Sequence, residues 1–371
     1  MIDLQRIAKE LQEFIRIPSS SLHEKRFAQR VKRALATLGI RCREDNAGKK
    51  IGGDCGNLFA RIPGDRGRPT LLLSAHLDTV ETGKEVISPR IRNGVIRSSG
   101  ETVLGADDKA AVAALLEALR VLRKGELPHP PLEIVFTVAE ELGLQGAKQF
   151  DCRRLKAKAG FVFDAFGPVG GIITKAPAYD SIDATILGRA AHAGASPEEG
   201  ASAIRMAGRA ISRMRLGRVN KQTTANIGLI SGGTARNVIP DRCSLKGEAR
   251  SHSSASLRRQ VQHMLECIHE AAAAGGGSIE VEVEREFEAC RVTMNSLPVR
   301  LARRVCRKLS LPFETRTSGG GADTAIFAAA GIPCVTANVG YENPHSVREC
   351  ISLDQVRLLA EFILALVLEK P

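Results

Sequence analysis

The 371-residue sequence predicts an α/β fold, in which a mainly parallel sheet flanked by helices is interrupted by an inserted α+β domain. From about residue 55 to 178, short apolar runs alternate with helix-like segments, which is the order typical of a parallel sheet covered on both faces. The pattern changes to alternating strands near residue 179 and changes back near residue 291. A chain of this length also exceeds the usual size of one domain.

The first domain begins with an amphipathic helix whose apolar residues fall on one face: Leu4, Ile7, Leu11, Phe14 and Ile15. The run "PTLLLSA" predicts a buried strand, and "DDKAAVAALLEALRVLRKG" predicts a helix that ends at Gly125. The runs "LEIVFTVA" and "GFVFDA" are continuous and apolar, as expected of two further buried strands. After the insertion, "LPVRLARRVCRKL" predicts a helix and "IPCVTANVG" another buried strand.

The insertion, residues 179–290, follows the order β-α-β-β-α-β. The strands are "SIDATILGR", "TANIGLISGG", "CSLKGEARS" and "SIEVEVEREFEA", and the last of these places Ile279, Val281, Val283, Arg285 and Phe287 on one side. One helix follows the first strand, and a second helix ends at "GGG". This order is that of the split βαβ unit. The sequence therefore predicts one domain formed by residues 1–178 and 291–371 and a second formed by residues 179–290.

Composition excludes several classes of function. The net charge is +12, but the basic residues are spread along the chain, only 4% of residues are aromatic, and no zinc-finger or phosphate-loop pattern accompanies them. We therefore expect no nucleic-acid partner. No stretch approaches the roughly 18 apolar residues of a membrane span, and the N-terminus lacks the features of a signal peptide. We expect a cytoplasmic protein without a membrane partner, whose nine cysteines are reduced.

Polar residues occur at or just beyond the ends of the predicted strands, where ligands bind in open α/β sheets: His76, Asp78, Asp107, Asp108, Glu140, Glu141, Asp164 and His345. Asp107 follows His76 by 31 residues, and Glu141 follows Asp107 by 34, about the length of a βαβ unit. Taken singly, His76 could be a hydrogen-bonded core histidine and Asp107 a helix N-cap. Together, imidazole and carboxylate donors without a thiolate suit two cations such as Zn²⁺, Co²⁺ or Mn²⁺ and leave room for water.

Six segments together resemble one family: "SAHLDTV", "LGADDKAAVAALL", "TVAEELGLQGAK", "GRAAHAGASPEEGASAI", "GGTARNVIPD" and "GGGADTAIF…GIPCVTANVGYENPHS". They are similar to the peptidase T-like branch of the di-zinc exopeptidases, a family that includes tripeptidase T, carboxypeptidase G, aminoacylases and succinyl-diaminopimelate desuccinylase. The resemblance covers nearly the whole chain. It implies two Zn²⁺ ions per subunit, with Co²⁺ or Mn²⁺ as substitutes, and an inserted domain that acts as a lid and as the surface of a homodimer.

The resemblance also implies roles for the residues of the first domain. Five ligands would hold two metals bridged by one aspartate: His76, Asp107 and Asp164 for one metal, and Asp107, Glu141 and His345 for the other. In this family the peptide bond that corresponds to Asp107–Asp108 is cis. Asp78 would orient the imidazole of His76 and raise its basicity. Glu140 would act as the general base, taking a proton from water and delivering it to the leaving amine.

In the inserted domain, the resemblance implies that His192 donates to the developing oxyanion, across a dimer. Asn237 and Arg250 would bind the substrate's carbonyl or terminal carboxylate. The glycine run "GGGAD" would let the backbone approach the substrate at Gly320. Each residue also has an ordinary interpretation: a turn histidine, a turn-forming asparagine, a surface arginine and a plain turn.

The sequence thus predicts a metal-dependent aminopeptidase that acts on short peptides, tripeptides in particular. An N-acyl-amino-acid amidohydrolase and a carboxypeptidase are alternatives on the same scaffold. A catalytically silent binding protein is a distant alternative, because this sequence retains Glu140 and all five expected ligands.

Overall fold

The computed structural model describes residues 1–80 and 87–370. They separate into two units: Met1–Thr174, Arg291–Thr317 and Ala322–Pro371 form the first, and Lys175–Cys290 with Ser318–Gly321 form the second. The second unit therefore begins four residues before the boundary predicted at residue 179, and it also includes part of the glycine run. Among the described residues, no helix combines the length and apolarity needed to cross a membrane.

The helices within the described residues are α1 (Leu4–Ile15), α2 (Lys25–Thr37), α3 (Ala47–Ile51), α4 (Ala106–Lys124), α5 (Gln145–Gln149), α6 (Ala203–Arg213), α7 (Ser254–Ala274), α8 (Leu297–Lys308), α9 (Thr324–Ala329) and α10 (Leu353–Leu368). The strands are β1 (Cys42–Glu44), β2 (Leu58–Ile62), β3 (Leu71–His76), β4 (Pro89–Arg92), β5 (Val95–Ser98), β6 (Leu132–Thr137), β7 (Ala159–Ala165), β8 (Gly171–Ala176), β9 (Ala178–Leu187), β10 (Gly217–Asn220), β11 (Thr223–Gly232), β12 (Arg242–Ser251), β13 (Ser278–Phe287), β14 (Cys290–Arg291), β15 (Glu314–Thr317), β16 (Cys334–Asn338), β17 (Tyr341–Glu342) and β18 (Cys350–Ser352).

The main sheet of the first unit has the order β1-β2-β6-β3-β7-β16-β8-β14. Its central strands β6, β3, β7 and β16 are parallel, while β2 and β8 pair antiparallel on either side of them. This confirms the predicted mainly parallel sheet. A smaller antiparallel sheet, β17-β18-β5-β4, was not predicted from the sequence.

The continuous apolar runs form the central strands because both faces of the sheet are covered. Every residue of β3 and β6 is buried. Helix α4 is buried over most of its length because it packs against β3 and β7 on one side and against α1 and α10 on the other. Its regular turns follow Asp107 and Asp108, whose backbone angles are not helical.

The second unit is a five-stranded antiparallel sheet of order β10-β11-β12-β9-β13, packed against α6 and α7. Strands β11, β12, β9 and β13 have the order of the split βαβ unit, and the short edge strand β10 is an addition to the predicted pattern. Even-numbered residues of β9 are buried, as the alternation predicted. At the edge strand β13, Val281 and Val283 lie opposite Ala184 and Ile182 of β9 but remain 36% and 41% exposed.

Candidate metal centre

The predicted ligands of the first unit lie at the carboxyl ends of the parallel strands. His76 ends β3 and is paired in register with Thr137, which ends β6. Asp164 is the penultimate residue of β7. The remaining ligands come from the segments beyond these strand ends and from the start of α4. The sheet thus brings together residues that are far apart in the sequence, as parallel strands with helical crossovers require.

Asp107 occupies the middle of the site. Its Oδ1 atom is 3.1 Å from Nε2 of His76, and its Oδ2 atom is 3.3 Å from Nε2 of His345. Asp164 Oδ1 lies 3.6 Å from the same nitrogen of His76, and Glu141 Oε1 lies 2.9 Å from that of His345. All five predicted ligands are therefore close together, with a different carboxylate oxygen of Asp107 facing each imidazole. The Asp107–Asp108 peptide bond is cis, as the resemblance implied.

The ring of His76 is oriented by the main chain. Its Nδ1 atom is 2.9 Å from the carbonyl oxygen of Asp78, which favours the tautomer in which Nδ1 donates and Nε2 faces the carboxylates. The carboxylate of Asp78 is farther from Nδ1, at 3.4 Å. That carboxylate instead accepts the amides of Glu140 and Glu141 at 3.0 and 3.1 Å, together with the hydroxyl of Ser21. Asp78 therefore supports both His76 and the two glutamates, whereas the sequence indicated only a role in orienting His76.

The two adjacent glutamates have different surroundings. The carboxylate of Glu141 contacts the imidazole of His345. Glu140 is buried, and one of its carboxylate oxygens lies within 4.8 Å of ligand atoms of His76 and Asp164. Burial is the largest cause that raises the pKa of Glu140 well above its usual value, and the negative charge of Asp164 is the second. When ionised, a carboxylate with a raised pKa is a stronger base toward water than an exposed glutamate.

The electrostatics of the site favour bound positive charge. Hydrogen bonds to Asp107 and Glu141 raise the pKa of His345 to about 10. Burial opposes protonation of His76, but the neighbouring carboxylates outweigh it and raise its pKa well above the usual value. Burial alone would raise the pKa of Asp107, yet hydrogen bonds from both histidines hold it below its ordinary value. The carboxylates of the site therefore favour positive charge at both imidazoles.

The donor set fits a metal centre. Among the described residues of this site, two groups have ligand atoms that all lie within 4.8 Å of one another: His76 with Asp107 and Glu141, and His76 with Glu140 and Asp164. Imidazole nitrogen and carboxylate oxygen are ligands that Zn²⁺, Co²⁺ and Mn²⁺ accept. The residues present therefore satisfy the chemistry expected of a site for divalent cations.

Four further buried carboxylates surround the site, and their roles were not predicted: Glu24, Asp108, Asp323 and Glu349. Glu24 accepts the amide of Ala139 at 2.8 Å, and Asp108 accepts the amide of His76 at 3.1 Å. Asp323 accepts the hydroxyl of Thr137 at the end of β6. Asp323 stands within the noted glycine run, so its sequence position offered a signal; Glu24 offered none.

In the second unit, His192 is exposed, and its ring is oriented by its own loop. Its Nδ1 atom accepts the amides of Gly194 and Ala195 at 3.2 and 3.0 Å. In the tautomer that accepts these amides, the proton lies on Nε2. Asn237 is also exposed and lies beside this loop, because its carbonyl oxygen accepts the amide of Ala193 at 2.9 Å.

Arg250 already has a partner within the second unit. Its Nε and Nη2 atoms donate to the two carboxylate oxygens of Glu248 at 3.1 and 3.0 Å, and its guanidinium stacks on Tyr179 at 4.4 Å. Binding a substrate carboxylate would exchange one carboxylate partner for another.

At the glycine run, packing within the second unit accounts for one glycine, Gly321. A β-carbon at Gly320 would meet no described atom closer than 3.8 Å, whereas one at Gly321 would lie 2.2 Å from the ring of Phe287. The amide of Gly320 donates to the hydroxyl of Ser318 at 3.0 Å. Packing therefore explains Gly321, and Gly320 keeps only its predicted role.

Comparisons with known proteins identify the family of the chain. The sequence profile described as peptidase family M20/M25/M40 matches residues 72–369. The chain is 38% identical to protein YqjE of Bacillus subtilis over 369 residues, covering 100% of this chain and 99% of that protein. Among solved structures, a tripeptidase from Staphylococcus aureus has a TM-score of 0.93 and 38% identity, covering 99% of this chain and 98% of that one. The aminopeptidase PepT from Bacillus cereus has a TM-score of 0.89 and 37% identity, with the same coverage.

Proposed function

The chain belongs to peptidase family M20/M25/M40, and we propose that it is a zinc-dependent aminopeptidase that acts on short peptides, tripeptides in particular. The observation that carries this proposal is the position of Asp107, with one carboxylate oxygen toward His76 and the other toward His345. The buried Glu140 beside it supplies a base. The preference for tripeptides is supported by the similarity to the S. aureus tripeptidase and to B. cereus PepT.

Two Zn²⁺ ions are the proposed cofactor, with Co²⁺ or Mn²⁺ as substitutes. His76, Asp107 and Asp164 would hold one ion, and Asp107, Glu141 and His345 the other. When bound, such ions lower the pKa of water toward about 7 and polarise a carbonyl group. The two oxygens of Asp107, each of which faces a different imidazole, support this pairing.

The protein's own residues move the proton and bind the substrate. Glu140 would take the proton from the attacking water and later deliver it to the leaving amine. His192 would donate from its Nε2–H to the developing oxyanion and so stabilise it. Asn237 would bind the substrate's carbonyl, and Arg250 its carboxylate, after release of Glu248. Gly320 would let the main chain approach the substrate.

We also propose that the second unit forms a homodimer in the cytoplasm, without nucleic-acid or membrane partners. The exposed apolar side chains of Val281 and Val283 on edge strand β13 support the dimer, because an edge strand presents unpaired main-chain groups. No disulfide joins the nine cysteines, all of which lie within the described residues and seven of which are buried; this supports a reducing compartment.

A peptide panel with metal analysis tests the proposal. Purified protein is stripped with a chelator, reloaded with Zn²⁺, analysed for bound metal, and assayed on di-, tri- and tetrapeptides with free and blocked termini. We expect two ions per chain and fastest hydrolysis of tripeptides with a free amine. Preference for N-acetylated substrates would favour an amidohydrolase, and release of the C-terminal residue would favour a carboxypeptidase. Fewer than one ion per chain after reloading would contradict the metal centre itself.

A further inference from the structure

Glu349 is a buried carboxylate that the proposed mechanism does not use. Its side chain is 2% exposed, and it accepts three main-chain amides that precede or belong to the start of α4. Oε2 accepts from Leu104 at 2.9 Å and from Gly105 at 2.7 Å, and Oε1 accepts from Asp107 at 2.9 Å. Both oxygens are therefore occupied by N–H donors, one of which belongs to the central ligand of the site.

The same glutamate lies in the segment that carries His345. Its amide donates to the carbonyl oxygen of Ser346 at 3.0 Å, and the hydroxyl of Ser346 donates to the carbonyl oxygen of Asn343 at 2.8 Å. These bonds form a compact turn around His345, which itself has a positive φ of 58°. The side chain of Glu349 thus connects the turn that presents His345 to the segment that presents Asp107.

We propose that Glu349 is a positioning residue that holds Asp107 and His345 in the relative placement needed to bind a divalent cation between them. The inference rests on the metal centre of the proposed function and assigns a role to a residue outside its ligand set. His76 and Asp164 have further support of their own, from β3, β7 and the main chain of Asp78, although Asp108 also accepts the amide of His76. Loss of Glu349 should therefore affect the two cation positions unequally.

The chemistry of the carboxylate indicates which substitution tests this role. Glutamine at position 349 has the same shape but only one acceptor oxygen, and its NH₂ group can only donate. If that oxygen faces Leu104 and Gly105, the NH₂ group meets the N–H of Asp107. In the flipped orientation it meets the other two N–H groups. Either way, Glu349→Gln places donor against donor beside a ligand, whereas Glu349→Asp keeps two acceptors on a side chain one methylene shorter.

The control is Glu342→Gln, which removes a charge from the same chain segment at an exposed position in β17. Each protein is stripped of metal and titrated with Zn²⁺ alone, while the imidazole NMR signals of His76 and His345 are followed. In the wild type and the control, both signals should shift as two equivalents bind. In Glu349→Gln, the His345 signal should require roughly 10–100-fold more free Zn²⁺, with a much smaller change for His76.

The outcomes separate the inference from the proposed function. If the wild type binds two equivalents and Glu349→Gln behaves identically, Glu349 has no positioning role. Equal weakening at both histidines would also overturn the inference, because it indicates general destabilisation. If neither signal shifts in the wild type, the metal centre is wrong whatever the variants do. Should Glu349→Gln not fold, Glu349→Asp must show the same unequal loss to a smaller degree; wild-type behaviour there would count against the role.

Discussion

Glu24 gives the sharpest test of the electrostatics around the site. It is fully buried, and its Oε1 atom accepts the amides of Leu22 and Ala139, while no described group hydrogen-bonds to Oε2. The pKa of Glu24 is raised from 4.5 to about 7, mainly by burial and secondly by the negative charge of Asp78. In Glu24→Gln, the amide carbonyl can keep both hydrogen bonds and the NH₂ group can replace the unpartnered oxygen.

The sign of the effect follows from the raised pKa. Between pH 4.5 and about 7, the folded protein keeps a proton on Glu24 that the unfolded chain releases. Stability contributed by this group therefore falls as pH rises through that window and is lowest above it. This difference between the pKa values of the folded and unfolded protein, at about 1.4 kcal/mol per pH unit, corresponds to roughly 3 kcal/mol in the free energy of unfolding.

The assay is urea unfolding of metal-free wild type and Glu24→Gln, followed by circular dichroism at several pH values between about 4 and 8. Relative to wild type, the variant should gain roughly 3 kcal/mol between the two ends of this range, because glutamine does not titrate. Any pH-independent effect of the substitution cancels in that comparison. A stability difference that stays constant to within about 1 kcal/mol would show that Glu24 ionises normally in the fold, and the electrostatic reasoning would be wrong.

Three further predictions concern the active site. Glu140→Gln should retain its bound metal and lose roughly 10²–10⁴-fold in kcat, because the base is removed without removing a ligand; kinetics with metal analysis check this, and near-normal turnover would exclude Glu140 as the base. His345→Ala should lose one of two zinc ions while its His76 signal still responds to Zn²⁺; elemental analysis and NMR decide, and two retained ions would contradict the ligand assignment. His192→Ala should lower kcat by about 10²–10³-fold with little change in KM, and His192→Gln, which keeps an N–H donor, should recover part of it; a change confined to KM would argue for substrate binding alone.

The central sheet could be predicted because burial on both faces leaves a strong mark on the sequence. In a strand such as Ala159–Ala165, every residue before Asp164 is apolar, so the polar residue near its end stands out. His76 and Asp164 were found in this way. The small sheet of β4, β5, β17 and β18 was missed because its strands have two to four residues, too few to establish a period of two.

The supporting carboxylates could not be predicted for a different reason. Glu24 and Glu349 bind main-chain amides, and every residue except proline offers one. No complementary side chain marks their partners in the sequence, so only the folded backbone shows which amides converge on them. The support that Asp78 gives to Glu140 and Glu141 was not predicted for the same reason, because its carboxylate accepts their main-chain amides.

The adjacency of Glu140 and Glu141 follows from these main-chain contacts. Ala139 has a positive φ of 48°, and three consecutive amides, those of residues 139 to 141, are accepted by the buried carboxylates of Glu24 and Asp78. The turn is therefore fixed through its backbone, which leaves both glutamate side chains free for the site. Because Asp78 accepts the amides of both glutamates, replacing it should disturb ligand and base together. Replacing either glutamate side chain leaves the supporting hydrogen bonds in place, so only those substitutions can separate metal binding from proton transfer.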